Sequence, residues 1–137
     1  MYDTYTGERM FCLEPGPLLT PGIHTSIGTL QSVYGKNTGD RLQLISWFGT
    51  RSGSQIDYFA AQSLIWEIVA NATVLQNGAN GAAVNSAKAV INDQVNRFLQ
   101  SGKAVKGTSK VYRGGGQDIM SIGTLITDKD ISITLQK

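Results

Sequence analysis

Cys12 stands between Phe11 and Leu13, and Gln62 lies in the run Tyr58 to Glu67, YFAAQSLIWE, among Ala60, Ala61, Leu64, Ile65 and Trp66. A thiol and a carboxamide can condense. If folding holds the Cys12 sulfur against the side-chain carbonyl carbon of Gln62, attack becomes unimolecular and effective molarities of ~10⁵ M come within reach. Ammonia then leaves and an internal thioester remains. Without such placement the pair is inert, because an amide is a poor electrophile and a thiol a weak nucleophile until ionised. Each residue also has a plainer reading. A lone cysteine between apolar neighbours commonly serves as a small buried hydrophobe, and a glutamine on a packed helix wall as a hydrogen-bonded structural residue.

Other chemistry is less well supplied. The chain holds one cysteine and one histidine, His24, so an internal disulfide and a zinc site of Cys and His ligands are both excluded. Cys12 with His24 would suggest a thiol hydrolase, but the turn-rich connection between them offers no oxyanion motif. Trp66 lies four residues past Gln62, on nearly the same helical face, where it would shield a thioester or simply pack. Glu67, five past, is not directly above it. Asn71-Ala72-Thr73 matches a three-residue glycosylation acceptor, a pattern that chance supplies often. Gly114-Gly115-Gly116 has no helix after it and so does not make a phosphate loop.

The elements that must position Cys12 and Gln62 follow from spacing. Met10 to Glu14 reads as a short extended segment ended by Pro15-Gly16-Pro17. From Ile23 to Tyr34 the chain shows no clean alternation and is expected to be irregular or weakly stranded. Asp40 with Gln43 resembles a capping box, with Leu42, Ile45 and Phe48 at helical spacing before Gly49, which predicts a short helix. Ser54 with Asp57 is a second cap, and Ile56, Phe59, Ala60, Trp66 and Val69 give an apolar flank to about Asn71. After the loop Asn77 to Gly81, Val84, Ala87, Ile91, Val95 and Phe98 share one face of a third helix ending at Ser101-Gly102. Strands are expected at Lys110 to Arg113, at Asp118 to Thr127, and at Ile131, Ile133 and Leu135, which alternate with Ser and Thr. The order predicts an α+β fold: an antiparallel, barrel-like sheet of strands from both chain ends and a central block of about three helices. The block is expected over about 40–101, with strand-rich parts at about 8–34 and 108–137.

The 137 residues fit one domain. Hydrophobic residues at 41% and charged residues at only 16% argue against intrinsic disorder. A net charge of +2, with Lys and Arg scattered singly, argues against nucleic-acid binding. No apolar stretch is long enough to span a bilayer, and the opening MYDTYTGERM lacks the basic and apolar regions of a secretory signal.

Taken together, FCLEPG and, some fifty residues later, AAQSLIWE resemble the thioester domains of Gram-positive surface adhesins. In that family an aromatic-Cys-aliphatic segment and a helix of the type Q-x-x-(apolar)-W-E supply the thioester partners. Here these are Phe11-Cys12-Leu13 and Gln62-Ser63-Leu64-Ile65-Trp66-Glu67. The resemblance extends to Asp40-Arg41-Leu42 through Trp47-Phe48-Gly49 and to Gly115-Gly116-Gln117, and so covers most of the chain. The segment after the Gln helix is shorter than in larger members, which bears on partner contacts more than on chemistry.

The resemblance implies a reactive pair, Cys12 and Gln62, whose thioester acylates a lysine amine of a host surface or extracellular-matrix protein once per molecule, without turnover. It implies no metal or organic cofactor, no nucleic acid and no membrane. It also implies a monomeric domain at the exposed tip of a longer, cell-wall-anchored bacterial surface protein, outside the cell; the last residues, to Lys137, are consistent with a following domain. Two rivals stand beside it. One is a non-covalent binding or spacer domain with a buried Cys12 thiol and a hydrogen-bonded Gln62; the other is the Cys12/His24 hydrolase.

Overall fold

Met10–Cys12 forms strand β1 and Thr25–Thr29 strand β2; Lys110–Arg113 and Ile119–Ser121 form β3 and β4. All pair antiparallel, in the order β1-β4-β3-β2. The two strands from the early part of the chain therefore lie at the ends of the sheet, and the two late strands lie between them. Among the described residues four helices fall in the middle of the sequence: α1 (Leu30–Tyr34), α2 (Lys36–Thr50), α3 (Gln55–Ala70) and α4 (Gly81–Gln100). The fold is α+β, as expected. These statements come from a computed structural model that describes residues 9–13, 25–71, 81–103, 105–114 and 118–124. The expected turn at Pro15 to Pro17, His24, the loop residues 77–80, Gly115 to Gln117 and the alternating run Ile131 to Leu135 lie outside the described residues.

Two elements differ from their sequence reading. The Ile23 to Tyr34 stretch, expected to be irregular or weakly stranded, divides into β2 and the short helix α1. Thr29 caps that helix, its Oγ1 accepting from the Ser32 backbone N–H at 3.2 Å. A bulge between Ser26 and Gly28 had hidden the strand's alternation: Gly28 sits at φ +132, where a side chain is strained and would also meet Ser32. The helical block thus begins at Leu30 rather than near residue 40.

The second difference is α2, which starts at Lys36, so Asp40 and Gln43 do not form a capping box. Both are buried and spend their polar atoms on tertiary bonds. Asp40 accepts from Lys36 Nζ at 2.8 Å, one turn back, and from Gln31 Nε2 at 2.9 Å. Nor does Gly49 stop the helix. It lies inside α2 where α3 crosses closely, and a Cβ there would run into Ala61.

α3 begins where Ser54 places it, with Ser54 Oγ accepting from the Asp57 N–H at 3.3 Å. It ends at Asn71, which adopts the left-handed conformation and returns its N–H to Glu67 O. Its buried face is Tyr58, Ala60, Ala61, Ser63, Leu64 and Ile65. Phe59, expected on the apolar flank, is instead 49% exposed. α4 follows its periodicity, with Val84, Ile91 and Val95 buried and Ala87 and Phe98 packed against them. One apolar cluster joins the two layers through Phe11, Leu13, Val111 and Met120 of the strand regions and Leu42, Ile45, Ile65 and Val95 of the helices.

Candidate functional site

In an antiparallel strand, successive residues turn their backbone N–H and C=O alternately toward and away from the neighbour. Leu13 N–H bonds Asp118 O at 2.9 Å, on the side where β4 lies. The N–H and C=O of Cys12 therefore face the opposite, open edge of β1. Left bare, such an edge costs stability and invites pairing with other chains. α3 covers it.

Gln62 does so at Cys12. The Cys12 N–H donates to Gln62 Oε1 at 2.9 Å, and Gln62 Nε2 donates back to Cys12 O at 2.7 Å. The side-chain amide behaves as a substitute peptide group and completes the ladder that a neighbouring strand would have supplied. The two residues singled out in the sequence, 50 positions apart, are thereby in direct contact. Both are partly buried.

The same helix holds the strand at two further points. Tyr58, one turn before Gln62, donates its hydroxyl to Met10 O and stacks its ring on Phe11, with centroids 4.6 Å apart. The Arg9 guanidinium lies 4.1 Å from the Tyr58 ring centroid and donates to Gln55 Oε1 at 2.6 Å. Residues 55, 58 and 62 follow i, i+3, i+7 spacing and so share one helical face. Sequence reasoning missed Arg9, Gln55 and Tyr58. Gln55 and Tyr58 repeat with Gln62 at helical spacing along α3, which marks a shared face but not what it meets; Arg9 had no such signal.

The environment decides what the thiol can do. Burial pushes Cys12 above its ordinary value, because a thiolate loses hydration there. At neutral pH the thiol is protonated, and its attack on an amide depends on the carbonyl being polarised. The Cys12 N–H, directed at Oε1, stands where negative charge would gather on that oxygen in a tetrahedral intermediate. Nε2, bonded to Cys12 O, is the nitrogen that such a reaction would have to expel.

A pH dependence follows for Gln62→Ala, which keeps the thiol unlinked. Folded Cys12 holds its proton more tightly than unfolded Cys12, so stability falls as pH rises above the unfolded thiol value near ~8.5. Iodoacetamide should label folded Gln62→Ala more slowly than urea-unfolded chain at pH 8, with the gap narrowing as pH rises. Equal rates at all pH values would contradict the burial effect.

The neighbouring residues have identifiable partners. Glu67 pairs with Lys88 of α4 at 3.1 Å, tying the two helices together with a largely buried lysine. Trp66 is partly buried, and its buried Nε1 has no hydrogen-bond partner among the described residues. His24 lies outside the described residues, so its distance from Cys12 is not part of this geometry. Among the described residues no group of three His, Cys, Asp or Glu side chains could hold a metal ion, and no helix is long and apolar enough to cross a membrane. Comparison of the chain with protein-family models, curated proteins and solved structures finds no match.

Proposed function

We propose that the domain carries an internal thioester between Cys12 and Gln62 and uses it to bind a protein partner covalently. The observation that carries this reading is the reciprocal pair of hydrogen bonds between the Gln62 carboxamide and the Cys12 main chain. It holds the Gln62 carboxamide against the main chain of Cys12, which supports the proximity that a unimolecular reaction requires. In closure, a bond forms between Cys12 Sγ and Gln62 Cδ, the bond from Cδ to Nε2 breaks, and the nitrogen leaves as ammonia with the thiol proton. In capture, a lysine amine attacks Cδ and the bond to sulfur breaks. The amine proton passes to the departing thiolate, and an amide joins the two proteins. The event happens once per molecule.

With this chemistry goes the rest of the proposal. The target is a lysine on a host surface or extracellular-matrix protein, and the domain is a monomeric part of a longer bacterial cell-surface adhesin. No metal or organic cofactor takes part in either step. The sequence resemblance to adhesin thioester domains supports this assignment.

The same pair of bonds favours one rival, in which Gln62 only caps the open edge of β1 and Cys12 stays a thiol. Intact-mass measurement separates the two. The proposal expects a fresh sample lighter than its sequence by one ammonia. Methylamine should convert this species to one carrying the amine at Gln62, and Gln62→Ala should show neither change. Full sequence mass, with peptide mapping showing Gln62 not hydrolysed to glutamate, would support the edge cap and end the covalent reading.

A further inference from the structure

We infer that Tyr58 is the positioning residue that sets the register between α3 and β1, and so brings the Gln62 carboxamide to Cys12 rather than to a neighbouring residue. The inference rests on the thioester reading and adds a residue to it. Four residues of helix advance about 6 Å, and two residues of strand advance about 6.6 Å. Tyr58 to Gln62 along α3 and Met10 to Cys12 along β1 are therefore nearly commensurate, and both segments advance in the same direction. Tyr58 bonds Met10 O at one rung, and Gln62 bonds Cys12 N and O at the next. Arg9 to Gln55 extends the series backwards.

The rungs differ in what they can specify. The Gln62 amide would fit any open peptide unit on the edge of β1, because every second residue offers the same N–H and C=O. Tyr58 is more demanding, since its ring must lie on Phe11 while its hydroxyl reaches Met10 O. It is buried, at 5% exposure, so its position is held by the core and passed to the strand. A slip of two residues would carry Cys12 a full rung away from Gln62. Misplacements of only 1 Å can cost about a hundredfold in rate.

The test is Tyr58→Phe in the complete chain, which keeps the ring and removes the hydroxyl. Chain kept unfolded in denaturant is refolded by dilution, folding is followed by near-UV circular dichroism, and loss of ammonia is followed by intact mass. Tyr58→Phe should regain its native spectrum yet lose ammonia about ten- to a hundredfold more slowly than the unsubstituted chain. Val95→Ala, a destabilised core control on α4, should lose ammonia at the unsubstituted rate once folded. A Tyr58→Phe rate equal to the unsubstituted one, or equal slowing in Val95→Ala, would overturn the positioning role while leaving the thioester intact. An unsubstituted chain that never loses ammonia would overturn the thioester reading and this role with it. Should Tyr58→Phe fail to fold, Phe11→Leu, which removes the ring that Tyr58 stacks on, decides the matter: slowing supports register control, and an unchanged rate overturns it.

Discussion

Cutting the Cys12 to Gln62 link with methylamine is expected to lower the unfolding free energy by about 4 kcal/mol. The figure comes from loop closure: a cross-link spanning 50 positions removes that much conformational freedom from the unfolded chain on the relation used for disulfides. For a chain of this size the melting temperature should fall by roughly 10–20 °C. Cys12→Ala should show the same loss without any treatment, and methylamine should then change nothing further, because both remove one constraint. Calorimetry on four samples, treated and untreated, makes the comparison. Identical melting temperatures before and after methylamine would mean that no link was present. The bond is thus expected to hold the N-terminal strand to the helical block as well as to store reactivity, so a molecule that has captured its target is less stable than one that has not.

The second large effect is expected at Gln43. Its Nε2 donates to Lys106 O at 2.9 Å, Thr108 Oγ1 at 2.9 Å and Thr124 O at 3.1 Å. Its Oε1 accepts from Gln31 Nε2 at 3.1 Å, Thr108 N at 3.0 Å and Ser109 N at 3.4 Å. Gln43 is 1% exposed. Gln43→Leu keeps much of the volume but leaves at least two backbone N–H groups and two carbonyls without their partner. A buried group left orphaned costs about 1–3 kcal/mol; Lys106 and Thr124 are exposed, so water can replace their bonds, and a loss of roughly 2 kcal/mol or more, carried by Thr108 and Ser109, is expected. Urea unfolding measures it; a change below about 1 kcal/mol would show that these segments find other partners. Lys106, Thr108 and Ser109, which Gln43 holds, lead into β3, Thr124 follows β4, and β4 is the strand that carries β1. Its removal should therefore slow closure of the thioester even though it lies outside the reacting pair.

The sequence was legible wherever a local rule was also the tertiary answer. Ser54 and Asp57 announced the start of α3 because the cap is made between residues three apart. α4 was visible because Val84, Ile91 and Val95 meet a single apolar surface. The α+β order and β1 were readable for similar reasons. Local rules failed where a polar side chain had a distant partner. Asp40 and Gln43 have the spacing of a capping box, yet their bonds run to Lys36, Gln31 and the segment 106–109. α1 escaped because five residues are too few to show helical periodicity. The candidate site was half legible: Gln62 stood out as an amide on an apolar helix, and Cys12 as the sole thiol. That Tyr58, Gln55 and Arg9 set their alignment depends on the register of a strand against a helix 46 to 50 positions away, which no local pattern encodes.

The sheet order carries a consequence for timing. Among the described residues β1 is bound on its sheet side by β4 alone, with Met10 opposite Ser121 and Cys12 opposite Ile119. During synthesis the thiol emerges first, its carboxamide partner midway, and the strand that seats β1 last. At ~5–20 residues per second, roughly five to twenty seconds separate Cys12 from its sheet neighbour on the ribosome. Over that interval the nascent chain carries the nucleophile without the scaffold that aims it. On the thioester proposal, aiming the nucleophile waits on β4, so chains that stop short of it would hold a thiol that is not yet seated.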